Sequence, residues 1–252
     1  MTRDEAFLQF LLRMGDNTLI LGHRVSEWCG HAPVLEEDIA LANTALDLIG
    51  QTQMWLGLAG EADGGKSADD LAFLRDAWDF RNVLLVEVPN GDFGRTLMRQ
   101  FLFDAWHSIM LGRLMASSDQ RVAAIAAKAS KEVTYHLERS GDTVVGLGDG
   151  TEESHARMQD ALDYLWPYVG EMFASDEVDA QMVAAGIAPN PADLREEYDA
   201  LVERVLNQAT LSIPESRFAH KGGRDGRMHT EHLGHLLTQM QWLQRAYPGA
   251  KW

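Results

Sequence analysis

The sequence of 252 residues predicts an all-α protein built as one antiparallel helical bundle. Apolar residues recur at spacings of three and four along nearly the whole chain, and no segment shows sustained alternation bounded by hairpin turns. The connections between predicted helices are mostly short, so neighbouring helices should pack antiparallel. No repeat of fixed period, low-complexity tract or linker divides the chain. We therefore expect a single helical domain over residues 1–252.

Three helices are predicted in the first third of the chain. The first runs from about Asp4 to Trp28, and the second from about Leu35 to Leu58, where the Gly-rich stretch AGEADGG stops it. Ser67 with Asp70 three residues later has the pattern of a capping box. This box predicts a third helix that continues to about Val86.

The remaining helices are marked by turns, caps and prolines. VPNGD at 88–92 is a turn signal, and a fourth helix should follow from about Phe93 to Met115, with a fifth from about Gln120 to Val145. Thr151 should cap a sixth helix, which Pro167 should kink or end. A predicted cap at Asn190-Pro191 starts another helix, which runs to about Ala209. After the loop IPESRFAHKGGRDGR, a last helix runs from about Met228 to Tyr247.

Charge and cysteine content narrow the functional classes. The formal net charge is −16. Such a surface repels phosphate backbones and anionic lipid, so nucleic-acid and membrane partners are not expected. Cys29 is the only cysteine, no apolar run reaches transmembrane length, and Met1 to Asp16 lacks the pattern of a signal peptide. We expect a cytoplasmic protein.

Polar residues fall on helix faces that should be buried. On the fourth helix, Asp104 and His107 share the apolar row of Leu97, Phe101 and Leu111. On the fifth helix, Glu132 and His136 form one row with Ser140, and Asp47 lies in a groove of small residues on the second helix. A buried carboxylate needs a partner, so these residues should meet one another.

Two interpretations of this set stand side by side. Dimetal carboxylate bundles take one carboxylate from each of two helices and a Glu-x-x-His pair from each of two others, with iron or manganese as the metal. The alternative is a metal-free network of salt bridges. The ligand set is incomplete, because DAWD at 76–79 contains no histidine and His136 follows Glu132 at a spacing of four.

A second histidine cluster, HTEHLGHLL, opens the last helix at His229. His235 and Trp242 share a flank of this helix, and we expect them at a contact between subunits rather than at a metal. No G-x-S-x-G motif, phosphate loop or dinucleotide fingerprint is present.

Four long segments resemble a known family. They are LILGHRVSEWCGHAPVLEEDIALANTALDLIGQ (19–51), FLRDAWDFRNVLLVEVPNGDFGRTLMRQFLFDAWH (73–107), KEVTYHLERSGDTVVGLGDGTEESHARMQDALDYLW (131–166) and GRMHTEHLGHLLTQMQWLQRAYPG (226–249). Together they are similar to PaaC, the family of C subunits of the bacterial phenylacetyl-CoA epoxidase. The resemblance implies a ferritin-like helical bundle, here with extra N- and C-terminal helices.

The resemblance also implies a division of labour. In that multicomponent monooxygenase a related subunit, PaaA, carries the diiron centre, and the C subunit is its structural partner; the other epoxidase subunits and the reductase complete the system. Tyr135 and Asp79 stand where the pattern of the catalytic subunit would have histidines. The expectation is therefore a noncatalytic subunit without a cofactor of its own. A diiron or dimanganese oxygenase using Asp47, Asp104, His107, Glu132 and His136, and a ferritin-like storage protein, are the alternatives.

Overall fold

A computed structural model describes residues 1–216 and 218–250 and confirms the predicted fold class, an all-α chain of the ferritin-like bundle type. The described residues form ten α-helices, joined by loops and three short 3₁₀ turns. The helices are α1 (Arg3–Ser26), α2 (Leu35–Ala62), α3 (Ala68–Phe73), α4 (Leu84–Glu87), α5 (Phe93–Leu114), α6 (Gln120–Gly148), α7 (Glu152–Val169), α8 (Glu177–Ala184), α9 (Arg195–Gln208) and α10 (Glu231–Ala246).

The chain forms two compact units. Residues 1–89 and 221–250 make up unit 1, which holds α1 to α4 and α10; residues 90–220, apart from 217, make up unit 2, which holds α5 to α9. Whether the chain acts as one domain remains a prediction.

Unit 1 is built on the pairing of α1 with α2. The helices approach closely at two glycines of α1: a Cβ on Gly15 would lie 2.5 Å from Leu56 Cδ2, and one on Gly22 would lie 3.1 Å from Ile49 Cδ1. The start of α1 agrees with the sequence, because Thr2 and Glu5 form a capping box there. α3 packs against α2 and α10.

The predicted third helix is wrong beyond Phe73. Ser67 and Asp70 do form the expected capping box, but α3 has only six residues, and a 3₁₀ turn and the short α4 replace the rest. Side chains of α1 take over the backbone donors of this segment. The Arg81 N–H donates to Asp16 Oδ2 at 2.8 Å, and the Val83 N–H donates to Asn17 Oδ1 at 2.8 Å.

Unit 2 is centred on α5, which is buried on nearly every face. It packs against α6, α7 and α9. These helices start where the sequence predicted. Thr151 caps α7 as expected, and Asp92 and Asp119 cap α5 and α6. The predicted ends differ by a few residues.

α7 ends at Val169, two residues past Pro167, and a 3₁₀ turn follows; a kink at Pro167 stays a prediction. α8 was not predicted, although Asp176 and Asp179 form a capping box at its start. No helix within 1–216 or 218–250 is long and apolar enough to cross a membrane.

Candidate functional site

The candidate site is a cluster of polar side chains between α5 and α6 in unit 2. Asp104 and His107 are fully buried, and His136 and Ser140 of α6 are nearly so. Their positions follow from helical periodicity, because residues three or four apart share a helix face. The structure therefore brings together two residues of the predicted row on α5 with His136 of the predicted row on α6.

Asp104 is held by two protein donors. The Gln100 side-chain amide donates to Oδ1 at 2.7 Å, and the Ser140 hydroxyl donates to Oδ2 at 3.0 Å. Burial disfavours the charged form and raises the pKa of Asp104 to about 6. The neighbouring positive charge of His136 and the two hydrogen bonds partly oppose this rise. At neutral pH the carboxyl group is therefore mainly ionised.

His107 has a different environment. Its ring lies between aromatic neighbours, 5.1 Å from the Phe103 ring and 6.1 Å from the Trp106 ring by centroids. Neither ring nitrogen has a hydrogen-bond partner among residues 1–216 and 218–250. Burial, together with the charge of His136, lowers the pKa of His107 to about 3. The imidazole is therefore neutral at physiological pH.

Three further residues named in the sequence analysis lie outside the buried cluster. Glu132 is only half-buried, so the polar row reaches the surface at this point. Tyr135 is exposed, and Asp79 of unit 1 is also exposed. Both were expected to stand where the pattern of the catalytic subunit has histidines, and that correspondence stays a prediction.

Asp47 belongs to unit 1, where it is half-buried on α2. It was predicted to lie near the α5–α6 cluster, and that proximity remains a prediction.

The residues of the cluster do not fit a dimetal centre. Such a centre takes four carboxylates and two histidines, whereas the buried cluster has one carboxylate, Asp104, beside His107 and His136, and Glu132 is partly at the surface. Within 1–216 and 218–250, no group of three or more histidine, cysteine, aspartate or glutamate side chains is arranged to hold a metal ion. What the cluster does provide is a buried carboxylate beside two imidazoles, and this carboxylate can take up a proton near pH 6.

A second buried ionic cluster, in unit 1, was not recognised in the sequence. Asp16 is fully buried and forms a two-pronged ion pair with the Arg75 guanidinium, besides accepting the Arg81 N–H. Its signal in the sequence is the run RMGDNT within an otherwise apolar helix. A charged residue at a core position indicates that a buried partner exists, but it does not reveal which one.

The histidine cluster of α10 also has a structural partner. Glu87 is fully buried, and the His229 ring Nδ1 lies 2.5 Å from its Oε1. The backbone N–H and the hydroxyl of Thr230 donate to the other oxygen at 2.7 and 2.8 Å. The Glu87 carbonyl oxygen in turn accepts from Arg24. This network joins the start of α10 to α4 and α1.

His235 and Trp242 are both exposed on α10, as a contact between subunits would require. Trp242 also borders a cavity of about 490 Å³. The Asp76–Arg245 ion pair, 2.7 Å between Oδ1 and Nη2, lies at this cavity. The role of His235 and Trp242 at an interface between subunits remains a prediction.

Comparison with known proteins decides the family. A family model described as phenylacetic acid catabolic protein matches residues 1–252. The chain belongs to this family. Within the phenylacetic acid catabolic protein family it is similar to the C subunit of 1,2-phenylacetyl-CoA epoxidase from Escherichia coli (strain K12). The two are 48% identical over 243 residues, which cover 96% of this chain and 98% of the relative.

Membership in the phenylacetic acid catabolic protein family confirms the resemblance drawn from the four sequence segments. The match spans both units, so the polar cluster of unit 2 and the ionic clusters of unit 1 all lie within the shared region.

Proposed function

We propose that this chain is a noncatalytic structural subunit of a multicomponent phenylacetyl-CoA 1,2-epoxidase in aerobic phenylacetate degradation. Its role is to stabilise the catalytic subunit, PaaA, on which we place the diiron centre. The other epoxidase subunits and the reductase are the remaining partners, and the complex is cytoplasmic. The chain itself carries no cofactor.

The pathway is supported by the similarity along nearly the whole chain to a protein named as the C subunit of this epoxidase. The noncatalytic role depends on one observation: the buried cluster has a single carboxylate, Asp104, beside two imidazoles. A dimetal site of this kind takes four carboxylates and two histidines. Asp104 instead accepts hydrogen bonds from Gln100 and Ser140.

The charge of the chain supports binding of the substrate elsewhere. Coenzyme A carries several phosphate charges, and a protein of net charge −16 repels them unless a local basic pocket exists. We therefore place phenylacetyl-CoA mainly on the catalytic partner. The permanent contact with that partner should bury more than about 2,000 Å² and be more apolar than a transient contact.

The test is reconstitution from separately purified subunits. Epoxidation of phenylacetyl-CoA is measured with the reductase present, for the catalytic subunit alone, for this chain alone and for the mixture, and the metal content of each is determined. We expect the mixture to exceed the catalytic subunit alone, with iron on the catalytic subunit.

A variant of this chain separates a structural role from a catalytic one. His107→Leu removes the candidate ligand whose ring nitrogens have no hydrogen-bond partner in the described part of the chain. A structural subunit with this change should support turnover within about twofold of the unchanged mixture. Product from this chain alone, abolished by His107→Leu, would instead identify a diiron or dimanganese oxygenase. Equal turnover by the catalytic subunit with and without this chain would contradict the structural role.

A further inference from the structure

The outward face of α2 is apolar, which is unusual for a surface helix. A helix at the surface of a globular protein normally places polar residues on the side away from the core. On α2 the inner face packs against α1, yet Leu35 is 70% exposed and Leu46 is 69% exposed. Ile39 is exposed on the same side, and Ile49, which also lies against Gly22 of α1, is partly exposed at the margin of this face.

These residues follow a regular spacing. Starting at Leu35, the outward positions recur at intervals of 4, 3, 4, 3 and 4 residues, which is the a/d pattern of a coiled coil. We call this line the α2 seam. It consists of Leu35, Ile39, Ala42, Leu46, Ile49 and Gln53.

The spacing indicates what kind of surface fits the seam. A narrow apolar line of 3.5-residue period is complementary to a second helix with the same period, crossing at about 20°. The apolar part of the seam, from Leu35 to Ile49, extends over about 21 Å at 1.5 Å per residue, which is about four turns of such a helix. A flat surface or a small molecule would leave most of that length uncovered.

The charge of α2 indicates the chemistry of the partner. The helix has five carboxylates and no lysine or arginine; the five are Glu36, Glu37, Asp38, Asp47 and Glu61. Glu36, next to Leu35, is exposed at one edge of the seam, and Asp47 is half-exposed farther round the helix. A helix with lysine or arginine beside its apolar line would complement this edge. A second copy of this chain would bring the same carboxylates and a further charge of −16.

We infer that the α2 seam is the docking surface for an amphipathic helix of the catalytic partner, with apolar residues at matching heptad spacing and basic residues beside them. This inference rests on the proposed function, because that function supplies the partner. It adds the surface, the packing geometry and the sign of the charge.

The experiment measures the affinity of this chain for the separately purified catalytic subunit by calorimetry, with the size of each species determined by light scattering. Leu46→Lys places a charge of the partner's own sign in the middle of the seam. Because Leu46 is exposed and lysine is a good helix former, the fold should be retained, and melting of the variant checks this. Val183→Lys on α8 is the matched control, since Val183 is also an exposed apolar residue on a helix.

We expect Leu46→Lys to weaken the complex at least tenfold and Val183→Lys to leave it within twofold. Glu36→Lys should also weaken the complex and reduce its sensitivity to salt. An unchanged affinity for Glu36→Lys would contradict the basic partner helix.

Other outcomes overturn the inference in distinguishable ways. If Leu46→Lys binds as tightly as the unchanged chain, the seam is not the docking surface, while the proposed function stands. If the unchanged chain alone is a dimer and Leu46→Lys a monomer, a second copy covers the seam. If the unchanged chain forms no complex, the proposed function fails together with the inference.

Discussion

Burial moves the pKa values of Asp104 and His107 in opposite directions, although the two side chains lie one helical turn apart. Loss of water disfavours a negative carboxylate and a positive imidazolium alike, so the acid becomes weaker and the base becomes weaker. Gln100 and Ser140 donate hydrogen bonds to the carboxylate, whereas no described residue bonds to the His107 nitrogens. Each group therefore contributes its own dependence of stability on pH.

For Asp104, the pKa is about 6 in the folded protein and near 3.8 without burial. A raised carboxyl pKa contributes stability that is complete below about pH 4 and lost as the pH rises through 6. We expect the unfolding free energy of the wild type, relative to Asp104→Asn, to fall by about 3 kcal/mol across this range. Urea denaturation at several pH values measures it. Asp142→Asn, on the exposed side of α6, should follow the wild type at every pH.

For His107, the pKa is about 3 in the folded protein against 6.5 for an exposed histidine. The stability contributed by a neutral buried imidazole is present above pH 6.5 and lost as the pH falls, because the unfolded chain takes up a proton first. Relative to wild type, His107→Leu should therefore be more stable at pH 5 than at pH 8 by about 2 kcal/mol. The same difference at both pH values would show that His107 is paired or charged. His235→Leu, at an exposed position, serves as the control.

At the scale of elements, the segment between α3 and α4 depends on α1. Its residues have helix-compatible spacing, yet Asp16 and Asn17 bind its backbone N–H groups and Asp16 pairs with Arg75. These contacts satisfy the donors that a continued helix would otherwise use within itself. The segment is therefore not an α-helix, because it bonds to residues of α1, which are far away in the sequence.

Asp16→Asn should destabilise the protein by about 3–5 kcal/mol, because it leaves the mostly buried Arg75 guanidinium without its counter-charge. Asp76→Asn is the matched control, since Asp76 also pairs with an arginine, Arg245, but at the surface. That change should cost less than about 1 kcal/mol. Thermal and urea unfolding of the two variants give the comparison, and equal losses would show that the Asp16 pair is screened by solvent.

At the scale of the whole molecule, the net charge of −16 governs what the isolated chain can bind. We expect calorimetry to detect no binding of coenzyme A to the isolated chain at ligand concentrations up to about 1 mM, because association with a polyanion is repelled. The complex with the catalytic subunit should bind it. Tight binding by this chain alone would reveal a basic pocket and would contradict the placement of the substrate on the partner.

The sequence by itself determined the all-α class, most helix starts and the family. These depend on local information: apolar spacing, capping residues such as Thr151, turn residues and long stretches of similarity. The inward direction of Asp104, His107 and His136 was also predictable, because helical periodicity places them beside apolar residues. Asp16 and Glu87 were missed, because their partners are distant in the chain.

Only the tertiary structure decided which of the predicted polar residues are buried together in one cluster. Glu132 has the correct helical spacing but is half-buried, since a helix face is buried only as far as its neighbours cover it. The break after α3 depends on Asp16 and Asn17, whose distance in sequence hides their contact. The α2 seam has the same apolar spacing as a core face, and periodicity cannot distinguish a face that is covered within the chain from one left exposed. That difference is decided by the packing of whole helices.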